Sequence, residues 1–97
     1  MVTAYYTGDT VPLSFSVTDA NGAVNPSSAT VEILKPTNTY TASQNATVVG
    51  NIVSYNVPAS VTTEHGHYKA YFICTISYGE RTHKIEFDVI KNPEETR

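Results

Sequence analysis

Period-two alternation constrains this chain more than any other feature. Val11, Leu13, Phe15 and Val17 alternate with Pro12, Ser14, Ser16 and Thr18. Such a run suits a strand with one face buried and the other in water. Pro12 lacks an N–H and marks the start of that strand or an edge position. Asp19-Ala20-Asn21-Gly22 supplies residues that tolerate a tight turn. Ala29, Val31 and Ile33 then alternate with Thr30 and Glu32, and Lys35-Pro36-Thr37-Asn38 ends the run. Residues 39–47 are rich in Ser, Thr and Asn and only weakly patterned, with room for a short strand or hairpin near Tyr40 and across 46–49. Val53, Tyr55 and Val57 alternate again, and residues 58–66 read as a crossing loop with space for one helical turn. The longest run follows. Tyr68, Ala70, Phe72, Cys74 and Ile76 share one face, and Lys69, Tyr71, Ile73, Thr75 and Ser77 the other. Tyr78-Gly79-Glu80-Arg81 reads as a hairpin turn, and Ile85, Phe87 and Val89 return as the last strand.

This spacing of strands and turns predicts an all-β chain, a Greek-key β-sandwich of about seven strands. Ninety-seven residues make one domain. Its core is expected across about 5–90, with a charged tail at 91–97. The abundance of Thr, Val, Tyr and Ser suits pleated, half-buried surfaces. Net charge is −3, and the six Lys and Arg are scattered. Nucleic-acid binding needs clustered positive charge, and an anionic membrane surface asks for the same. Neither partner is therefore expected. No stretch is apolar for long enough to cross a bilayer as a helix. The opening MVTAYYTGDTVPL has no basic residue followed by an apolar run, so it does not read as a secretory signal. Either the chain is used without secretion, or a signal has been removed.

The residues that carry a resemblance are Gly8-Asp9-Thr10, Leu13 to Val17, Asp19 with Gly22, Ala29-Thr30-Val31, Gly66 to Phe72, and Phe87-Asp88-Val89. Together they resemble the immunoglobulin-like domain that opens many phage baseplate upper proteins and, more loosely, the Ig-like modules of phage tails and head fibres. The resemblance spans most of residues 5–90. It implies an Ig-like Greek-key sandwich without enzymatic activity that docks other virion proteins, or copies of itself, within a particle made in the host cytoplasm. It also implies that Gly66-His67-Tyr68 forms a tyrosine corner, with the Tyr68 hydroxyl bonding back to the loop. Cys74 would then stand where such domains carry their second cysteine. The chain has one cysteine, so no disulfide forms within it. Phe15 is the expected occupant of the partner's place, its ring filling the space beside a reduced, buried thiol.

Site-like residues are sparse. His65 and His67, with His83, have histidine spacing that can bind a metal. No Cys, Asp or Glu shows ligand spacing beside them, so ordinary loop histidines are the better reading, and no metal or cofactor is expected. Ser60, Glu64 and His65 lack a nucleophile elbow or an oxyanion loop, so no catalytic residues are assigned. A Lys–Asn isopeptide staple would ask for a lysine on an early core strand, and none precedes Lys35. Asn45-Ala46-Thr47 matches a glycosylation acceptor, a match without meaning unless the chain is secreted. Tyr5, Tyr6, Tyr40 and Tyr71 are candidates for an exposed aromatic patch that stacks on sugars or anchors an interface. Tyr71 and Ile73 stand out, because they sit on the face of their strand where polar residues are expected. Two readings follow. One is a structural and assembly module of a virion. The other is an adhesive or carbohydrate-binding Ig-like module of a bacterial surface protein.

Overall fold

The structure, a computed structural model, describes residues 4–91. The expected tail therefore lies, apart from Lys91, outside the described residues. Strands and turns account for the described chain, with no helix among them. The strands are β1 (Ala4–Tyr6), β2 (Val11–Ser16), β3 (Thr18–Asp19), β4 (Gly22–Ala23), β5 (Ser28–Leu34), β6 (Gln44–Asn45), β7 (Thr47–Val49), β8 (Ile52–Val57), β9 (Gly66–Ile76) and β10 (Gly79–Ile90). One sheet runs β1-β10-β9-β5-β6 and a second runs β2-β8-β7, while β3 and β4 form a small separate hairpin. β1 is parallel to β10, and the other pairings are antiparallel.

The alternating runs become strands because their apolar faces meet between the two sheets. Val11, Leu13, Val53 and Val57 from the smaller sheet pack in one buried cluster with Val31, Ile33, Ala70, Phe72, Phe87 and Val89 from the larger. Tyr68 lies at the centre of the buried set with 0% exposure, its ring stacked on Phe87 at 5.1 Å. A buried hydroxyl must find partners. That of Tyr68 donates to the Glu64 carbonyl at 2.6 Å and accepts the Glu64 N–H at 3.3 Å, with the Val61 carbonyl at 3.2 Å as a second acceptor. The crossing loop is thus pinned to the strand that follows it. Thr62, also buried, ties the same loop to the chain after β1, because its hydroxyl donates to the Asp9 carbonyl at 2.7 Å. Tyr68→Phe is expected to lower the unfolding free energy by about 1–2 kcal/mol, since it keeps the ring stack and strands the Glu64 carbonyl. Denaturant unfolding tests this through a lower midpoint at unchanged slope.

Four details differ from the sequence expectation. The β9–β10 hairpin turns at Ser77-Tyr78, not across 78–81, and Gly79 already pairs with Ile76. Polar residues at 80–84 leave no apolar alternation to read, yet β9 supplies the backbone partners that make them strand. β1 was not foreseen as a strand, because three residues are too few to show a period. In the crossing loop the expected helical turn is replaced by hydrogen-bonded turns, among them Val61 N–H to the Pro58 carbonyl at 2.9 Å. Around Tyr40 the pairing is a single bridge to Leu34, and the weakly patterned segment yields the short β6 and β7.

Candidate interaction surface

The outer face of the β10-β9-β5 sheet gathers most of the residues in question. Register places them in rows across the three strands. Lys84 stands beside Tyr71 and Glu32, Thr82 beside Ile73 and Thr30, and Glu86 beside Lys69 and Leu34. Tyr71 and Ile73 are both half-buried. The Tyr40 ring lies 6.2 Å from that of Tyr71, and Tyr40 is itself 57% exposed. The face is therefore an apolar centre of Tyr71, Ile73 and Tyr40 bordered by charges of both signs. A surface of this composition has the aromatic centre and polar rim that protein interfaces use.

The structure separates the other aromatic candidates. Tyr5 turns toward the core, its ring edge-on to Phe87 at 6.1 Å. Tyr6 is exposed at the far end of the sheet, where β1 meets Ile90. The four tyrosines do not form one patch, because β1 leaves the sheet after three residues and alternation sends its neighbours to opposite faces.

Histidine positions likewise diverge. His67 sits near one end of the β9–β10 ladder, opposite Asp88, and His83 near its middle, opposite Phe72. The His67 ring is clasped between two carboxylates of β10, Nε2 to Glu86 at 2.9 Å and Nδ1 to Asp88 at 2.6 Å. Hydrogen bonds to Glu86 and then Asp88 raise the His67 pKa above 6.5, and the His67 bond lowers Glu86 below 4.5. A raised histidine contributes stability that is complete below 6.5 and fades as pH rises through its folded value. A lowered carboxylate contributes stability that is complete above 4.5 and fades as pH falls through its folded value. The clasp is thus strongest from 4.5 to 6.5, and solvent screening keeps its effect small, since the His67 side chain is 43% exposed. An NMR titration is expected to give a His67 midpoint above 6.5 that falls in Glu86→Gln. An unshifted midpoint in that variant would show that the clasp does not form.

His83 faces inward and stacks on the Phe15 ring at 4.0 Å, with 12° between planes. Coverage of that one ring face pushes the His83 pKa down, although its outer rim is exposed. Phe15 also meets Phe72 edge-on at 5.0 Å. Phe15 is half-buried, its aromatic partners are Phe72 and His83, and it lines one cleft together with Cys74. Cys74 is 1% exposed, and burial pushes its thiol pKa up, so it is a core residue rather than a reactive one. Gly66 packs against Pro36 in a backbone conformation with φ of 141°. The clasp around His67 was missed from sequence, although acidic residues at 86 and 88 gave a signal once β9 and β10 were paired.

A comparison of the sequence with known protein families and with curated proteins returns no match.

Proposed function

We propose that this protein is a non-enzymatic assembly module of a phage virion, with an Ig-like Greek-key topology, that docks other virion proteins or copies of itself in a baseplate, tail or head fibre. The strand order supports the topology. With β2, β5, β8, β9 and β10 as strands B, C, E, F and G, the order β2-β8 joins B to E, and β10-β9-β5 joins G, F and C. Tyr68 opening β9 and bonding back into the crossing loop fits a tyrosine corner. In that motif the second cysteine follows the tyrosine by two residues, which is Ala70 here. Cys74 is therefore a core filler further along the strand, and Ala70 holds the place of the bridge.

The observation that carries the docking role is the outer face centred on Tyr71, Ile73 and Tyr40. It is a broad surface on rigid strands, suited to a macromolecule. Immunogold labelling with antibody to the folded domain tests the reading on material from a culture that carries the gene. Label on phage particles is the expected result. Label confined to the cell envelope would overturn it in favour of the adhesive or carbohydrate-binding module, whose support is the same aromatic face.

A further inference from the structure

The β9–β10 ladder has a free edge. Ile90 accepts the Thr7 N–H through its carbonyl at 3.0 Å, so the even-numbered residues at that end of β10 turn their backbone groups away from β9. The same phase holds along the unbroken antiparallel register with β9. β1 takes up this edge only at Asp88, Val89 and Ile90. From Gly79 to Phe87 no strand pairs with it among the described residues. The N–H and C=O groups of Glu80, Thr82, Lys84 and Glu86 thus point outward along an exposed edge, a template for another strand. Their side chains stand on the outer face of the sheet, and those of Arg81, His83 and Ile85 on the inner one.

We propose that a second copy of this chain pairs along this edge, β10 against β10, antiparallel about a two-fold axis at Thr82. The occupant follows from the charges. With Thr82 opposite Thr82 of the second copy, Glu80 faces Lys84 of the second copy, and Lys84 faces Glu80. Both charged positions are complementary, and facing threonines are a favourable cross-strand pair. All of these positions carry outward backbone groups, so the hydrogen bonds are in phase. Shifting the axis to His83 sets Glu80 against Glu86, and shifting it to Lys84 sets lysine against lysine. Both are like-charge contacts that cost stability. A one-residue slip of one strand against the other would turn the outer face of one copy onto the inner face of its neighbour. On the inner side Arg81 would face His83, whose packing on Phe15 favours the uncharged ring. Lysine on an edge strand ordinarily guards it against pairing, but in this register Lys84 has an acidic partner. An axis at Ile85 would also set it against Glu86, but that pairing is cut short where β1 takes the edge at Asp88. The two copies would then share one continuous sheet, with both Tyr71–Ile73 centres on the same face.

This dimer names a partner for the assembly role above and rests on that reading. A failure here would leave docking to a different protein open, and the particle labelling tests that separately. The experiment is sedimentation equilibrium of the 97-residue chain over a range of concentrations. The wild type is expected to form dimers. Lys84→Glu replaces both attractions by repulsions and should weaken dimerisation about tenfold or more. The charge swap Glu80→Lys with Lys84→Glu should restore it. Thr82→Pro removes one outward N–H and should also give monomers, with circular dichroism checking that the fold persists. A monomeric wild type, or dimers indifferent to Lys84→Glu, would overturn the proposal.

Discussion

Phe72→Ala is expected to lower the unfolding free energy by about 4 kcal/mol, within the range for emptying a buried phenylalanine site. Phe72 is fully buried near the middle of β9, which is flanked on both sides by β10 and β5. Its backbone is therefore held, and the site cannot collapse onto the space left behind. Its ring also meets Phe15 edge-on at 5.0 Å, a contact between the two sheets that the substitution deletes. Phe15→Ala should cost clearly less, because Phe15 is half-buried and water can reach the vacated volume. A single domain has only about 5–15 kcal/mol to lose. The variant should thus unfold at a much lower denaturant concentration, and near-equal midpoints for the two variants would mean that the core is centred elsewhere.

Gly66→Ala is expected to cost about 2–4 kcal/mol by two separable mechanisms. At φ of 141° the backbone of Gly66 lies where side chains are strained. A Cβ built there would stand 2.7 Å from both Cβ and Cγ of Pro36. The proline ring is stiff and cannot swing aside as a long side chain would. Substituting Pro36 by Gly in the Gly66→Ala background should recover the steric part and leave the backbone strain. A double-mutant cycle on unfolding free energies measures this coupling. Additive effects would mean that the glycine serves φ alone and that the contact with Pro36 is incidental.

These two sites were legible to different degrees. Phe72 belongs to an alternating run with Tyr68, Ala70, Cys74 and Ile76, and one-sided burial writes that period into the residues themselves. Gly66 could be read as a turn glycine at the start of β9. That Pro36 presses on it could not be read, because the two lie far apart in the chain and meet only through the β5–β9 pairing. The same holds for the His67 clasp, which needs the register that sets Asp88 opposite His67. Tyr71 and Ile73 were identifiable as misplaced apolar residues on a polar face. Tyr40 joins them through its bridge to Leu34, a contact the weakly patterned segment before β6 did not announce. The stack of Phe15 on His83 could not be read, since alternation fixes the face of a side chain but not what lies opposite it in the other sheet.

Alternation and turn residues, both local, determined that this chain is all-β, where its longer strands run and which side chains turn inward. Steric preference and the burial of one face act within a few residues, so they leave their mark on the sequence. The tertiary structure alone decided strand order, register and the pairing of β1 with β10. Those depend on which distant strands find their backbone hydrogen bonds together. The clasp, the Phe15–His83 stack and the free edge of β10 all follow from that choice.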